Sequence, residues 1–139
     1  MKRLMFVFVT LIFVTSCLHA QSPSLVATIP FNFQVGNIAL PPGTYTIRPV
    51  RGDILLFQSK DNPNDAVFVV PLASAGDINK HDSELIFRVS DGRFFLWQMW
   101  TEGYSDGREF AVKSSETLEA NTAEPSVIVI KAVAITSHV

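Results

Sequence analysis

Apolar residues recur at every second position over much of the chain. From Leu25 to Val35 the odd positions Leu25, Ala27, Ile29, Phe31, Phe33 and Val35 are all apolar, while Thr28, Asn32 and Gln34 lie between them. A period of two puts one set of side chains on each face of a β-strand, so the pattern predicts a strand with one face buried. Pro30 has no N–H to donate to a ladder; the strand must lie at an edge or break there.

Turn signals then divide the chain at short intervals. Gly36-Asn37 suits a two-residue hairpin loop. Pro42-Gly43 suits the centre of a type II turn, with glycine taking the positive φ. Arg51-Gly52 separates strand-like Thr44–Val50 from Asp53–Ser59, and the polar Asp61–Asp65 loop precedes the strand-like Ala66–Leu72. Asp91-Gly92 is the strongest hairpin signal. It sets Ser90 opposite Arg93, Val89 opposite Phe94, Phe87 opposite Leu96 and Ile86 opposite Trp97. Apolar pairs on both faces make this hairpin central in the sheet or set one of its faces against something else. Asp106-Gly107 repeats the turn and would pair 101–105 with 108–113.

Ser114–Asn121 reads as one or two helical turns with Ser114 as N-cap. Ser126–Ile135 is rich in β-branched residues and reads as a buried last strand, too short to span a membrane as a helix. With about eight short strands, the reading is all-β: a single-domain antiparallel β-sandwich or small barrel with at most one short helix.

The first twenty residues stand apart. Lys2 and Arg3 precede Leu4–Val14, which is apolar except at Thr10, and Ala20 closes the segment. This is the pattern of a signal peptide over residues 1–20, with residues 21–139 as the exported domain. The apolar run is about half of what a transmembrane helix needs. Two routes of cleavage compete. Cleavage after Ala20 leaves Gln21 first, with Leu18 a mediocre −3 residue. Val14-Thr15-Ser16-Cys17 resembles a lipobox, in which Cys17 would be lipidated and anchor the domain to a membrane.

Composition narrows the function. Of 139 residues, 47% are hydrophobic and 17% charged, enough apolar surface for a core at this length. Loss of Lys2 and Arg3 moves the net charge from −2 to −4, so no nucleic-acid partner is expected. Cys17 is the only cysteine, which leaves residues 21–139 without a disulfide or a thiolate nucleophile. His81 and His138 are the remaining histidines. His81, Asp82 and Glu84 read as a solvated turn, and Asp61, Asn62, Asn64 and Asp65 as a polar hairpin loop lacking the spacing of a calcium loop. No metal or cofactor is expected. A small hydrolase would need His81 as its base, yet no serine carries a nucleophile signature.

One stretch is denser in aromatic residues, Phe94–Phe110. Strand parity puts Phe95, Trp97 and Met99 on one face and Phe94, Leu96, Gln98 and Trp100 on the other. Trp97 then belongs to the core and Trp100 to a rim, where Trp100, Tyr104 and Arg108 would form an edge able to stack on a sugar or grip a peptide.

Ile29-Pro-Phe-Asn-Phe-Gln-Val-Gly-Asn37 followed by Leu40-Pro-Pro-Gly-Thr-Tyr-Thr-Ile-Arg48 resembles a group of small exported proteins of Acidobacteria that open with a "VPFDFxVGxxxLPAGxYxV" pattern. Phe94–Trp100 and Gly107-Arg108-Glu109 resemble that group's "YFLxxVW" and "GRE" segments. The resemblance spans about residues 25–120; Asn32 departs from its usual Asp. It implies export and a β-fold and assigns no catalytic residue. The expected function is an exported non-enzymatic β-domain, a structural or binding module of the envelope or exterior, with an unidentified protein or glycan partner. The alternative is a small carbohydrate- or peptide-binding domain that uses the aromatic edge.

Overall fold

The computed structural model describes residues 23–77, 82–112 and 126–135. Every regular element among them is a strand: β1 (Ser24–Ile29), β2 (Phe33–Val35), β3 (Ile38–Leu40), β4 (Gly43–Arg51), β5 (Ile54–Ser59), β6 (Ala66–Val69), β7 (Ala73–Gly76), β8 (Glu84–Ser90), β9 (Arg93–Trp100), β10 (Asp106–Glu109) and β11 (Ser126–Ile135). The all-β expectation holds. The helix expected at 114–121, His81, His138, Cys17 and the whole of residues 1–20 lie outside the described residues.

Hydrogen bonding orders the strands β3-β2-β9-β8-β11-β1-β4-β5-β6, with β10 on β9 and β7 on β10. The path curls on itself around one core. Phe33 of β2 meets Tyr45 of β4 edge to face at 5.1 Å, and Phe57 of β5 meets Phe110 at 6.1 Å. The result is a nearly closed sheet, barrel-like or sandwich-like. It is mixed rather than wholly antiparallel, because β2 pairs parallel to β9 through Phe33↔Phe94 and Gln34↔Phe95.

The first alternation explains that crossing. Leu25, Ala27, Ile29, Phe33 and Val35 are all buried, and Phe31 packs against them. Pro30 ends β1 without ending the alternation. The chain therefore leaves the β4–β1–β11 side and joins β9 on the other, still presenting the same parity to the core.

Turn chemistry is upheld at Gly36 (φ 59°) and at Asp91-Gly92 (φ 51° and 72°), where Ser90 faces Arg93. Three expectations shift. The Arg51-Gly52 turn falls one residue later: β4 runs through Arg51 and Gly52 takes φ 56°. Gly43 is the first residue of β4 and not the left-handed residue of a type II turn; Asp61 Oδ2 would lie only 3.3 Å from a Cβ placed there. Asp106-Gly107 is no turn but the start of β10, and the reversal lies at Glu102-Gly103, where Tyr104 N donates to Thr101 O and Gly103 takes φ 83°.

β11 is also corrected. It is central in the hydrogen-bond order, between β8 and β1, but it is not buried on both sides. Ile130, Ala132 and Ala134 pack against the core, while Val127, Val129, Val133 (66% exposed) and Ile135 face outward. A run of β-branched residues signals strand formation and does not report which face is covered.

Candidate functional site

Strand β9 decides where the aromatic side chains go. Its ladder with β8 runs in register from Ser90↔Arg93 to Phe87↔Leu96, then shifts, so that Ile86 faces Gln98 and not Trp97. A β-bulge at Trp97 accounts for the extra residue. It lies where the neighbour on the other edge of β9 changes from β2 to β10, and Phe110 N donates to the Trp97 carbonyl at 2.8 Å. Beyond the bulge the parity is reversed: Leu96 and Met99 both enter the core.

Neither tryptophan joins the core cluster: past the bulge Trp100 pairs with Glu84 on the face opposite Leu85 and Met99, and it is buried there against Gly107 of β10. Trp100 is 3% exposed, and its Nε1 donates to Gln98 Oε1 at 3.2 Å. Its ring lies over Gly107, where any Cβ would come within 2.7 Å of it. Trp100 has no free face on which a ligand could stack, so it is not the anchor of a binding edge. Trp97 is the half-buried one. Its Nε1 donates to Glu109 Oε1 at 3.1 Å, and the Arg88 guanidinium lies 3.9 Å from its ring centroid.

The rest of the expected edge does not assemble around Trp100. Tyr104 is half-exposed in the loop after β9. Arg108, on β10, reaches away to Asp53 in the β4–β5 turn (3.3 Å), a largely exposed pair that contributes at most about 1 kcal/mol. Other carboxylates also have structural partners. Lys131 bridges Asp82 (2.9 Å) and the buried Glu84 (3.3 Å), and these two carboxylates raise the lysine's pKa through their hydrogen bonds. In the Asp61–Asp65 loop, Ser59 Oγ accepts from the N–H groups of Asp61 and Asn62, and the Asn62 side chain accepts from Asn64 N and donates to Asp65. Among the described residues no three His, Cys, Asp or Glu side chains gather as metal ligands.

A different constellation occupies the other end of β9, on the side of the sheet away from the core. Phe94 packs against the core, so its neighbours Arg93 and Phe95 lie on the opposite face, where Arg93 is exposed and Phe95 is itself buried. The register Arg88↔Phe95↔Gln34↔Ala39 places Arg88 and Gln34 on that same outer face. Between β2, β3 and the Asp91-Gly92 turn lies a shallow cleft of about 260 Å³, lined by Asn32, Gln34 and Arg93 with Phe33, Ala39, Gly92 and Phe94. Phe94 is braced by Phe31, stacked on it at 4.0 Å. The side chains of Asn32, Gln34 and Arg93 bond to no other described residue. Arg88 is bound less completely than its position requires: its Nε is buried and has no hydrogen-bond acceptor. The indole beneath offsets part of that desolvation, since a guanidinium over a Trp face gains about 0.5–2 kcal/mol.

Sequence reasoning passed over these residues. Asn32 and Gln34 were visible as the polar half of the first alternation, and Arg88 as a cation inside the apolar run Glu84–Ser90. The convergence of Asn32 and Gln34 with Arg93 depends on the parallel β2–β9 pairing, which joins segments about sixty residues apart, whereas Arg88 comes to this face through the β8–β9 hairpin. Comparison of the chain with protein-family models, with curated proteins and with solved structures yields no match.

Proposed function

We propose that the chain is an exported, non-enzymatic β-domain that acts in the cell envelope or outside it as a binding or structural module. The observation that carries this reading is the N-terminal order of Lys2-Arg3, the apolar Leu4–Val14 and the small Ala20, the pattern of a cleaved export signal. The resemblance to the acidobacterial group of exported proteins points the same way. A cysteine-free core built from Tyr45, Phe33, Phe57, Phe87 and Phe110 suits a domain that holds its shape without disulfides. The binding form of the proposal, a small carbohydrate- or peptide-binding domain, is favoured by the polar cleft of Asn32, Gln34 and Arg93.

Intact mass of the protein recovered from cell fractions of a bacterial host tests export and its route together. A soluble product beginning at Gln21 is expected from cleavage after Ala20; an acylated product beginning at Cys17 is expected from lipoprotein processing. An uncleaved chain retained in the cytoplasm refutes export.

A further inference from the structure

We propose that the free edge of β6 joins the β6 edge of a second copy of this chain, antiparallel about a two-fold axis at Phe68, so that one sheet runs across a dimer. Strand β6 ends the hydrogen-bond path and has a ladder partner on one side only, β5. The ladder fixes which of its backbone groups are unused. Ser59 N donates to Asp65 O and Lys60 N donates to Thr44 O, so the backbone groups of odd residues in β5 point to β6 and those of even residues to β4. Phe57↔Val67 and Leu55↔Val69 are therefore the bonded pairs of the β5–β6 ladder, and the N–H and C=O groups of Ala66, Phe68 and Val70 point away from β5. No described residue bonds to them.

The side chains leave this edge open to pairing. Val67 and Val69 turn toward the core, so Ala66, Phe68 and Val70 lie on the outer face. Phe68, Val70 and Leu72 are 67%, 60% and 71% exposed. No charged residue occurs from Ala66 to Leu72, although charge is the usual guard of an edge strand. Pro71 lacks an N–H, but at its odd position that group would have faced β5, so the free edge loses no donor. The other free edges are less suited. β3 is three residues long and runs into Pro41-Pro42, and β7, Ala73–Gly76, offers only small side chains to hold a partner.

A second copy fits because the edge is complementary to itself. With Phe68 opposite the partner's Phe68, Ala66 lies opposite the partner's Val70, and the outward backbone groups of all three residues are matched. The two rings meet as a cross-strand pair beside Leu56, the buried neighbour of Phe68 on β5. Charge favours the same occupant. The chain is net negative, yet its uncharged edge lets two copies meet without like charges at the join, and it offers a charged peptide nothing to pair with. The area is sufficient. An aromatic side chain buries about 150–250 Å² in full, so Phe68 at 67% exposure offers about 100–170 Å². With Val70, Leu72 and the covered backbone, the two copies together bury on the order of 1,000 Å², the lower limit of a specific interface. A two-fold pairing consumes the edge in both copies, so assembly stops at the dimer.

Sedimentation velocity of the purified protein from about 1 μM to about 1 mM reads the assembly. A monomer–dimer equilibrium with Kd of about 1–100 μM is expected for an interface of this size. Phe68→Lys sets two like charges opposite each other at the two-fold and should weaken the dimer at least about a hundredfold. Its circular dichroism spectrum should match the parent's, because the side chain is largely exposed in the monomer. Val70→Lys should act the same way, and Ile38→Lys on β3 should leave the dimer intact. Hydrogen exchange reads the backbone directly: the amides of Ala66 and Phe68 should exchange slowly in the dimer and fast in Val70→Lys, while those of Val67 and Val69 stay slow in both. A chain monomeric throughout, a dimer that survives both β6 variants, or a dimer lost in Ile38→Lys overturns the proposal. A monomer whose Ala66 and Phe68 amides are slowed only by an added apolar strand peptide overturns the second copy in favour of a peptide partner.

Discussion

Gly107→Ala adds one methyl group at the most crowded point of the structure. The new Cβ would lie 2.7 Å from Trp100 Cδ2 and 2.8 Å from Cε2 and Cε3, well inside van der Waals contact. The backbone at Gly107 lies in an ordinary strand and not in the left-handed region, so alanine meets no conformational penalty of its own. The whole effect is steric. The obstructing atoms belong to a rigid indole that is 3% exposed and tied to Gln98, so it has little room to withdraw. Overpacking of this kind costs about 1–3 kcal/mol. For a domain of this size each kcal/mol lowers Tm by about 3–5 °C, so the variant should melt roughly 3–15 °C below the parent. Thermal unfolding followed by circular dichroism measures the drop. A double-mutant cycle with Trp100→Leu isolates its cause: with the indole gone, the added methyl should cost less than about 0.5 kcal/mol. An unchanged Tm in Gly107→Ala, or an equal loss in the Trp100→Leu background, would refute the close packing of these two residues.

Two further outcomes follow from the same structure. Trp100→Ala should cost about 3–5 kcal/mol by denaturant unfolding, and Trp97→Ala distinctly less, because only Trp100 is fully enclosed; the opposite order would refute the enclosure of Trp100 against Gly107. Burial, reinforced by the charges of Asp65 and Asp61, raises the pKa of Tyr45 above its ordinary 10.0, and its hydroxyl donates to the Pro41 carbonyl at 2.6 Å. The folded state thus holds this proton more tightly than the unfolded chain. The associated stability is complete below pH 10 and is lost as pH rises through the folded-state pKa. Tyr45→Phe should flatten the fall in Tm above pH 10, and a fall as steep as the parent's would exclude Tyr45 as its source.

Much of the fold was legible in residue order alone. The alternation Leu25–Val35 declared its buried side, since polar groups left inside without partners are costly and the six apolar positions share one parity. Gly36 and Asp91-Gly92 declared their turns, because positive φ is accessible to few residues and those residues are local markers. The absence of cysteine from residues 21–139 decided that the core must hold without disulfides.

What the tertiary structure decided are the features that depend on a partner strand. Asp106-Gly107 has the composition of a turn, yet Gly107 is glycine because the Trp100 indole lies where a side chain would stand. Nothing local separates those two demands for a missing Cβ. The bulge at Trp97 is likewise set by the exchange of β2 for β10 along one edge of β9, and a single extra residue reverses the parity of all that follow. Past the bulge Trp100 turns away from the core and is buried instead against Gly107, Trp97 lies half-buried beneath Arg88, and the open polar cleft is at the Arg93 end of the strand and not at the Tyr104–Arg108 end. Alternation along a chain is a local property, whereas the register that gives it meaning belongs to pairs of strands brought together from distant parts of the sequence.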